Sequence, residues 1–229
     1  PPTGTPLANL VIFAFVSFII GERSNFLKVF TIIFIFYLFV DKTIIWKKLI
    51  LVFIFFSLII LTISQNNGYK ERFFNQTFLN LASHDYNLKQ YFKFTTYGAH
   101  YSTAIKIFKN YPYFGVGLKN YRIESGKSEY KDPDYIFNVE RKTTHPHQIH
   151  FEFLSEMGLF GYISFFIFFF IFIKKSISFQ IKNKNLFHLS GILFILVYFM
   201  PIIPSGSFFT TYGAAIFWLN FSVIEAFND

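Results

Sequence analysis

Six apolar stretches recur along the chain, at residues 7–20, 26–40, 49–64, 149–173, 186–203 and 213–227. A hydrocarbon slab about 30 Å thick needs roughly 20 residues of helix, or about 17 at the short end. Several runs reach that length only with flanking Ser, Thr, Tyr and Trp. Together they constrain the fold more than any other feature, because lipid leaves no backbone group unpaired and so favours helices. With 53% of 229 residues hydrophobic and 37 phenylalanines, a water-facing surface could not be built at this length. The expected fold is all-α: a polytopic membrane helix bundle with a long, partly helical external loop. Its parts are three transmembrane helices in residues 1–64, a loop at 65–146, and three more helices in 147–229. The lipid bilayer is the first expected partner; nothing points to nucleic acid.

Cysteine is absent, which excludes disulfides and thiolate metal sites within these residues. The opening "PPTGTP" lacks an initiating methionine and any signal-peptide pattern, so the chain is expected to be the C-terminal portion of something longer.

Lysine sets the sidedness. Two short connections, 41–48 and 174–185, are basic, and short basic loops stay cytoplasmic. Counting helices then places 21–25, 65–146 and 204–213 on the far side. The 65–146 segment carries 12 Lys and Arg against seven acids, yet long loops translocate largely regardless of charge. Within it, Tyr101, Ala104, Ile105, Phe108 and Tyr111 fall at helical spacing with Lys106 and Lys109 opposite, up to a stop at Pro112. That helix is expected to lie at the membrane surface, lysines toward lipid phosphates.

The titratable groups concentrate in "THPHQIHFEFLSEMGLFG", residues 144–161. Pro146 suits the first turn of a helix, with Thr144 or His145 as cap. His147 would then sit among free backbone N–H groups, where the helix dipole lowers its pKa and leaves a neutral imidazole able to accept a proton. A polar anchor at the interface is the plainer reading. A metal reading would use His145, His147 and His150, with His147 and His150 on one helical face, but no HExxH pattern or cysteine supports it. Glu152 and Glu156 share a face, to orient a histidine or to hold the bundle together.

Three segments carry a family resemblance. Residues 145–161 resemble the His-Asn-x-aromatic-Leu…Glu-x-Gly-Leu-x-Gly signature of the O-antigen ligase and polymerase superfamily, with His147 on the functional histidine, Gln148 in place of Asn, and Glu156, Gly158 and Gly161 matching. "NYPYFGVGLKNY" (110–121) is similar to that family's Pro-x-x-Gly-x-Gly element, and "GERSNFL" to its Ser/Gly-x-Arg element. The match covers most of the chain and lacks the family's N-terminal helices.

The resemblance implies a metal-independent, cofactor-free enzyme of lipopolysaccharide or polysaccharide biosynthesis in the bacterial inner membrane, multi-pass, with a periplasmic active site. The donor would be a glycan on polyprenyl diphosphate, and the acceptor a hydroxyl of another glycan or of lipid A–core. His147 would be the base and Arg23 the cation on the diphosphate, where a preorganised guanidinium stabilises leaving-group charge. Lysine counting independently puts both on one face. The family's second loop arginine is missing from "TTYGAHYSTAIK" (95–106). His100, Arg122 and Arg141 are the expected substitutes, with His145 and Gln148 as further substrate contacts. Gly115 and Gly117 suit a tight turn. A transporter or flippase for lipid-linked glycans is the competing class, although its charges would sit near the bilayer midplane.

Overall fold

The computed structural model describes residues 5–40, 45–79, 95–131, 142–201 and 203–228. The described residues are helical, without strands, and fall into two compact units, residues 1–85 and 86–229.

The first unit contains α1 (Thr5–Ile19), α2 (Arg23–Val40) and α3 (Ile45–Gln65), followed by a single turn, α4 (Asn67–Tyr69), and a π-helical stretch, Lys70–Leu79. Gly21 turns the chain between α1 and α2 at φ 78°. Ala14, Phe18, Phe55 and Ile59 form the core, and Phe26, Phe30, Tyr69 and Phe73 pack on it. Lys48 is buried, donating to the Tyr37 carbonyl at 3.1 Å.

The second unit contains α5 (Thr96–Asn110), the turn α6 (Tyr121–Glu124), α7 (Ile149–Asn183), α8 (Leu186–Tyr198) and α9 (Thr211–Asn228). Helices α5, α8 and α9 all pack on α7, and α8 pairs with α9. The core is aromatic: Phe153, Phe165, Phe199, Phe208 and Phe217 interlock ring on ring beside Ile149, Ile195 and Ile224. A smaller cluster of Ala104, Ile107, Tyr121 and Tyr130 seats α5.

Among the described residues, two helices are long and apolar enough to cross a membrane, Lys48–Gln65 and Ile149–Asn183. Their outer faces present large apolar side chains such as Phe53, Ile60, Phe170 and Ile171, which water would penalise and lipid would not.

Three boundaries differ from the sequence reading. The basic stretch from residue 174 is the last part of α7 and not a loop; only Lys184 and Asn185 connect it to α8. Lysine and glutamine favour helix, and Lys175 pairs with Glu225 of α9. Helix α8 stops at Tyr198 instead of running to residue 203, because Pro201 cannot extend it and restrains the residue before it. Its 13 residues span about 20 Å. Helix α7 begins at Ile149, capped by neither Thr144 nor His145, with Pro146 outside it.

Candidate functional site

The true cap of α7 is Gln148. Its backbone is extended and its buried side-chain oxygen accepts from the His150 N–H at 2.8 Å and the Phe151 N–H at 3.1 Å. The Gln148 carbonyl oxygen is thus committed to the helix. His147 precedes the cap in a left-handed backbone conformation, φ 57°. Few side chains tolerate that region, although histidine visits it more than most. Here the Ser205 N–H holds it by donating to the His147 carbonyl at 2.8 Å.

That bend aims the His147 imidazole at α5. Thr95 caps α5 by accepting from the Gly98 N–H at 2.9 Å, and the first turns present Tyr97 and His100. The Tyr121 hydroxyl donates to the His100 carbonyl at 3.0 Å. Ring centroids lie 4.2 Å from His147 to His145, 5.3 Å to His100 and 5.7 Å to Tyr97. Three of the histidines singled out in the sequence therefore meet.

His150 does not join them. Its ring contacts the Phe199 carbonyl at 2.8 Å and the Tyr162 hydroxyl at 3.0 Å. The carbonyl can only accept, so that nitrogen carries the proton and the other accepts from the tyrosine. The expectation that His147 and His150 share a helical face fails because the helix starts after His147. Among the described residues, no group of three or more His, Cys, Asp or Glu side chains is arranged to hold a metal ion.

Burial lowers the His147 pKa below the ordinary 6.5. The lowering expected from the helix dipole has burial as its resolved cause. Burial, and then the neighbouring His147 ring, push His145 down to about 4. Both imidazoles are neutral at neutral pH, and neutral imidazole can take a proton.

The two glutamates of α7 each grip a loop. Glu156 accepts from the Lys119 N–H at 2.6 Å and the Tyr121 N–H at 3.3 Å. Glu152 accepts from the Ser207 hydroxyl and from the Phe208 N–H, the latter at 2.8 Å. Both are almost wholly buried, and these hydrogen bonds offset the loss of water that burial imposes.

Helix α7 is broken at Gly158 (φ 66°, ψ −170°), a conformation open essentially to glycine. The freed backbone groups are not left unpaired. Below the break, Ser155 and Glu156 carbonyls accept from Val116 and Gly117 N–H at 3.0 and 2.9 Å. Above it, Leu159 and Phe160 N–H donate to Pro112 and Tyr113 carbonyls at 2.8 and 3.2 Å. The Pro-x-x-Gly-x-Gly stretch is thus threaded into the break, backbone against backbone. A Cβ on Gly158 would overlap the Tyr113 carbonyl, and one on Gly115 the Glu156 carbonyl. Gly115 and Gly117, at φ 66° and 89°, do turn the chain as expected; the close approach was not visible in the sequence.

Beside this junction runs a groove of about 420 Å³, lined by Leu118, Lys119, Phe153, Met157, Phe209 and Trp218 among others. Arg122 lies exposed on α6, where its charge is felt by Glu156. Arg141 lies outside the described residues. Arg23 opens α2 in the first unit, donating to the Arg72 carbonyl at 3.0 Å. The Arg72 guanidinium lies against Gly21, 3.9 Å from Glu22. Sequence reasoning passed over Arg72, which has no local motif; only the packing of the π-helical stretch on the α1–α2 turn reveals it.

Among the described residues, two apolar helices of membrane length and an imidazole cluster beside a broken helix are compatible with a membrane protein. The family model described as O-antigen ligase matches residues 8–166, more than half of the chain and including Arg23, the 112–117 stretch, His147 and Gly161. The chain belongs to the O-antigen ligase family, whose members are membrane enzymes of the O-antigen ligase or polymerase type. No curated protein and no solved structure matches it.

Proposed function

We propose that this chain is a metal-independent glycan ligase or polymerase, acting on the periplasmic face of the bacterial inner membrane. It moves a glycan from polyprenyl diphosphate to a sugar hydroxyl, on another glycan or on lipid A–core. The observation that carries the reading is His147: a neutral imidazole fixed in an unusual backbone conformation, beside His100 and His145.

The acceptor hydroxyl oxygen attacks the anomeric carbon of the donor sugar while its proton passes to a His147 ring nitrogen. The carbon–oxygen bond to the diphosphate breaks with its electron pair leaving on phosphate, and polyprenyl diphosphate departs. Arg23 offsets the growing negative charge. His100, His145 and Tyr97 hold the acceptor sugar. The apolar groove with Lys119 at its edge suits a hydrocarbon chain whose head is anionic.

The test is His147→Ala in the full-length protein, with glycan transfer and membrane abundance measured together. Transfer is lost while abundance is retained; a fully active variant removes His147 from the chemistry. The convergence of Arg23 with His147 on the outer face is tested separately. These 229 residues contain no cysteine. Single cysteines placed at positions 23 and 147 are both labelled from outside by a membrane-impermeant maleimide, and labelling of one but not the other contradicts a shared site.

A further inference from the structure

The loop between α8 and α9 is fastened at two points on the His147 side of α7. Near its start, the Ser205 N–H donates to the His147 carbonyl at 2.8 Å. Further on, the Ser207 hydroxyl and the Phe208 N–H both donate to Glu152, one turn into α7. Phe208 is buried in the aromatic core, so the strap cannot slide away from the helix. Nothing else among the described contacts holds the His147 carbonyl, and its left-handed backbone is unfavourable unless held.

We infer that Glu152 is a positioning residue for the base: it anchors the 205–208 strap, and the strap sets the backbone conformation that aims the His147 imidazole. This rests on the reading of His147 as the base. Among the described contacts Glu152 makes none with the imidazole cluster; its carboxyl oxygens accept from the two strap donors. The chemistry it supplies is two acceptor positions and not a proton.

The experiment uses the full-length protein in native membranes, with three variants. Glu152→Ala removes both acceptors. Ser205→Pro removes the N–H at the other end of the strap and leaves the buried carboxylate untouched. Glu152→Gln keeps both contacts, because the amide oxygen can take the Phe208 N–H while the amide N–H donates to a rotated Ser207 hydroxyl. Two quantities are read: steady-state kinetics, and the rate at which diethylpyrocarbonate modifies His147, followed by peptide mass spectrometry.

Glu152→Ala and Ser205→Pro lower kcat by about 10- to 100-fold with KM little changed, as a displaced catalytic group does. Both change the His147 modification rate at least about threefold, and Glu152→Gln stays within about threefold of the native protein in both readouts. Loss in Glu152→Gln as deep as in Glu152→Ala overturns the inference, because the carboxylate would then be acting chemically. An unaltered His147 modification rate in both Glu152→Ala and Ser205→Pro overturns it as well. If Glu152→Ala does not accumulate, Ser205→Pro alone decides. The labelling arm needs no turnover, so it distinguishes failure of the strap from failure of His147 as base.

Discussion

Replacing Gly158 by alanine attacks the junction on which α7 and the 112–117 stretch depend. The added methyl meets the Tyr113 carbonyl, and the backbone must leave φ 66°, ψ −170°. Holding a non-glycine residue there costs about 2 kcal/mol. The alternative is to straighten the helix and expel the threaded stretch, which breaks four backbone hydrogen bonds between it and α7. Each contributes about 1 kcal/mol net, and straightening recovers some within the helix. Either route costs about 2 kcal/mol, equivalent to a fall in Tm of roughly 5 °C in a chain of this size. The assay is thermal unfolding of the purified full-length protein together with limited proteolysis. Gly158→Ala unfolds earlier and is cleaved between residues 112 and 117, where the native protein resists. Gly115→Ala matches it, because it breaks the same contact from the other side, and the double variant is less than additive. Gly206→Ala is the control, since an added Cβ there meets nothing within 4 Å. A Gly158→Ala protein with native Tm and native protease resistance would refute the threading.

The remaining expectations are smaller. Activity rises with pH along an acid limb whose midpoint lies below 6.5, because the lowered His147 pKa keeps the active neutral form at lower pH; a midpoint above 6.5 in the pH–rate profile contradicts the burial. Between about pH 6.5 and 4 the unfolded chain binds a proton that folded His145 refuses, so stability falls as pH drops through that window and is flat above it; His145→Asn flattens the Tm–pH curve. Glu156→Ala costs about 3 kcal/mol, since it leaves the Lys119 and Tyr121 N–H groups without their acceptor, and is read from Tm. Gln148→Ala removes the α7 cap at about 1 kcal/mol, measured the same way.

Four of the six apolar runs coincide closely with helices, because period and hydropathy are local properties that a sequence displays. The same local reading misplaced what non-local contacts decide. It ended α7 where the apolar run ends, although Lys175 finds Glu225 and the helix runs on to Asn183. It placed His147 inside the helix because Pro146 is a good first residue; the side chain of Gln148 competes successfully for the cap. It gathered His100, His145 and His147 as candidates, but could not exclude His150, whose partners Tyr162 and Phe199 carry no motif. For Glu152 and Glu156 the sequence offers a shared face and a choice between orienting a histidine and holding the bundle; their partners stay hidden, being mostly backbone N–H groups, which every residue but proline possesses.

The join between Gly115 and Gly158 uses no side chain from either residue. What those positions require is emptiness, so the glycines record a shape and carry no information about bond-making. A distant relative that kept both glycines would retain the same bent scaffold whatever side chain stood at position 147. Searching genomes by the glycine pattern would therefore gather architecture and leave the chemistry unread.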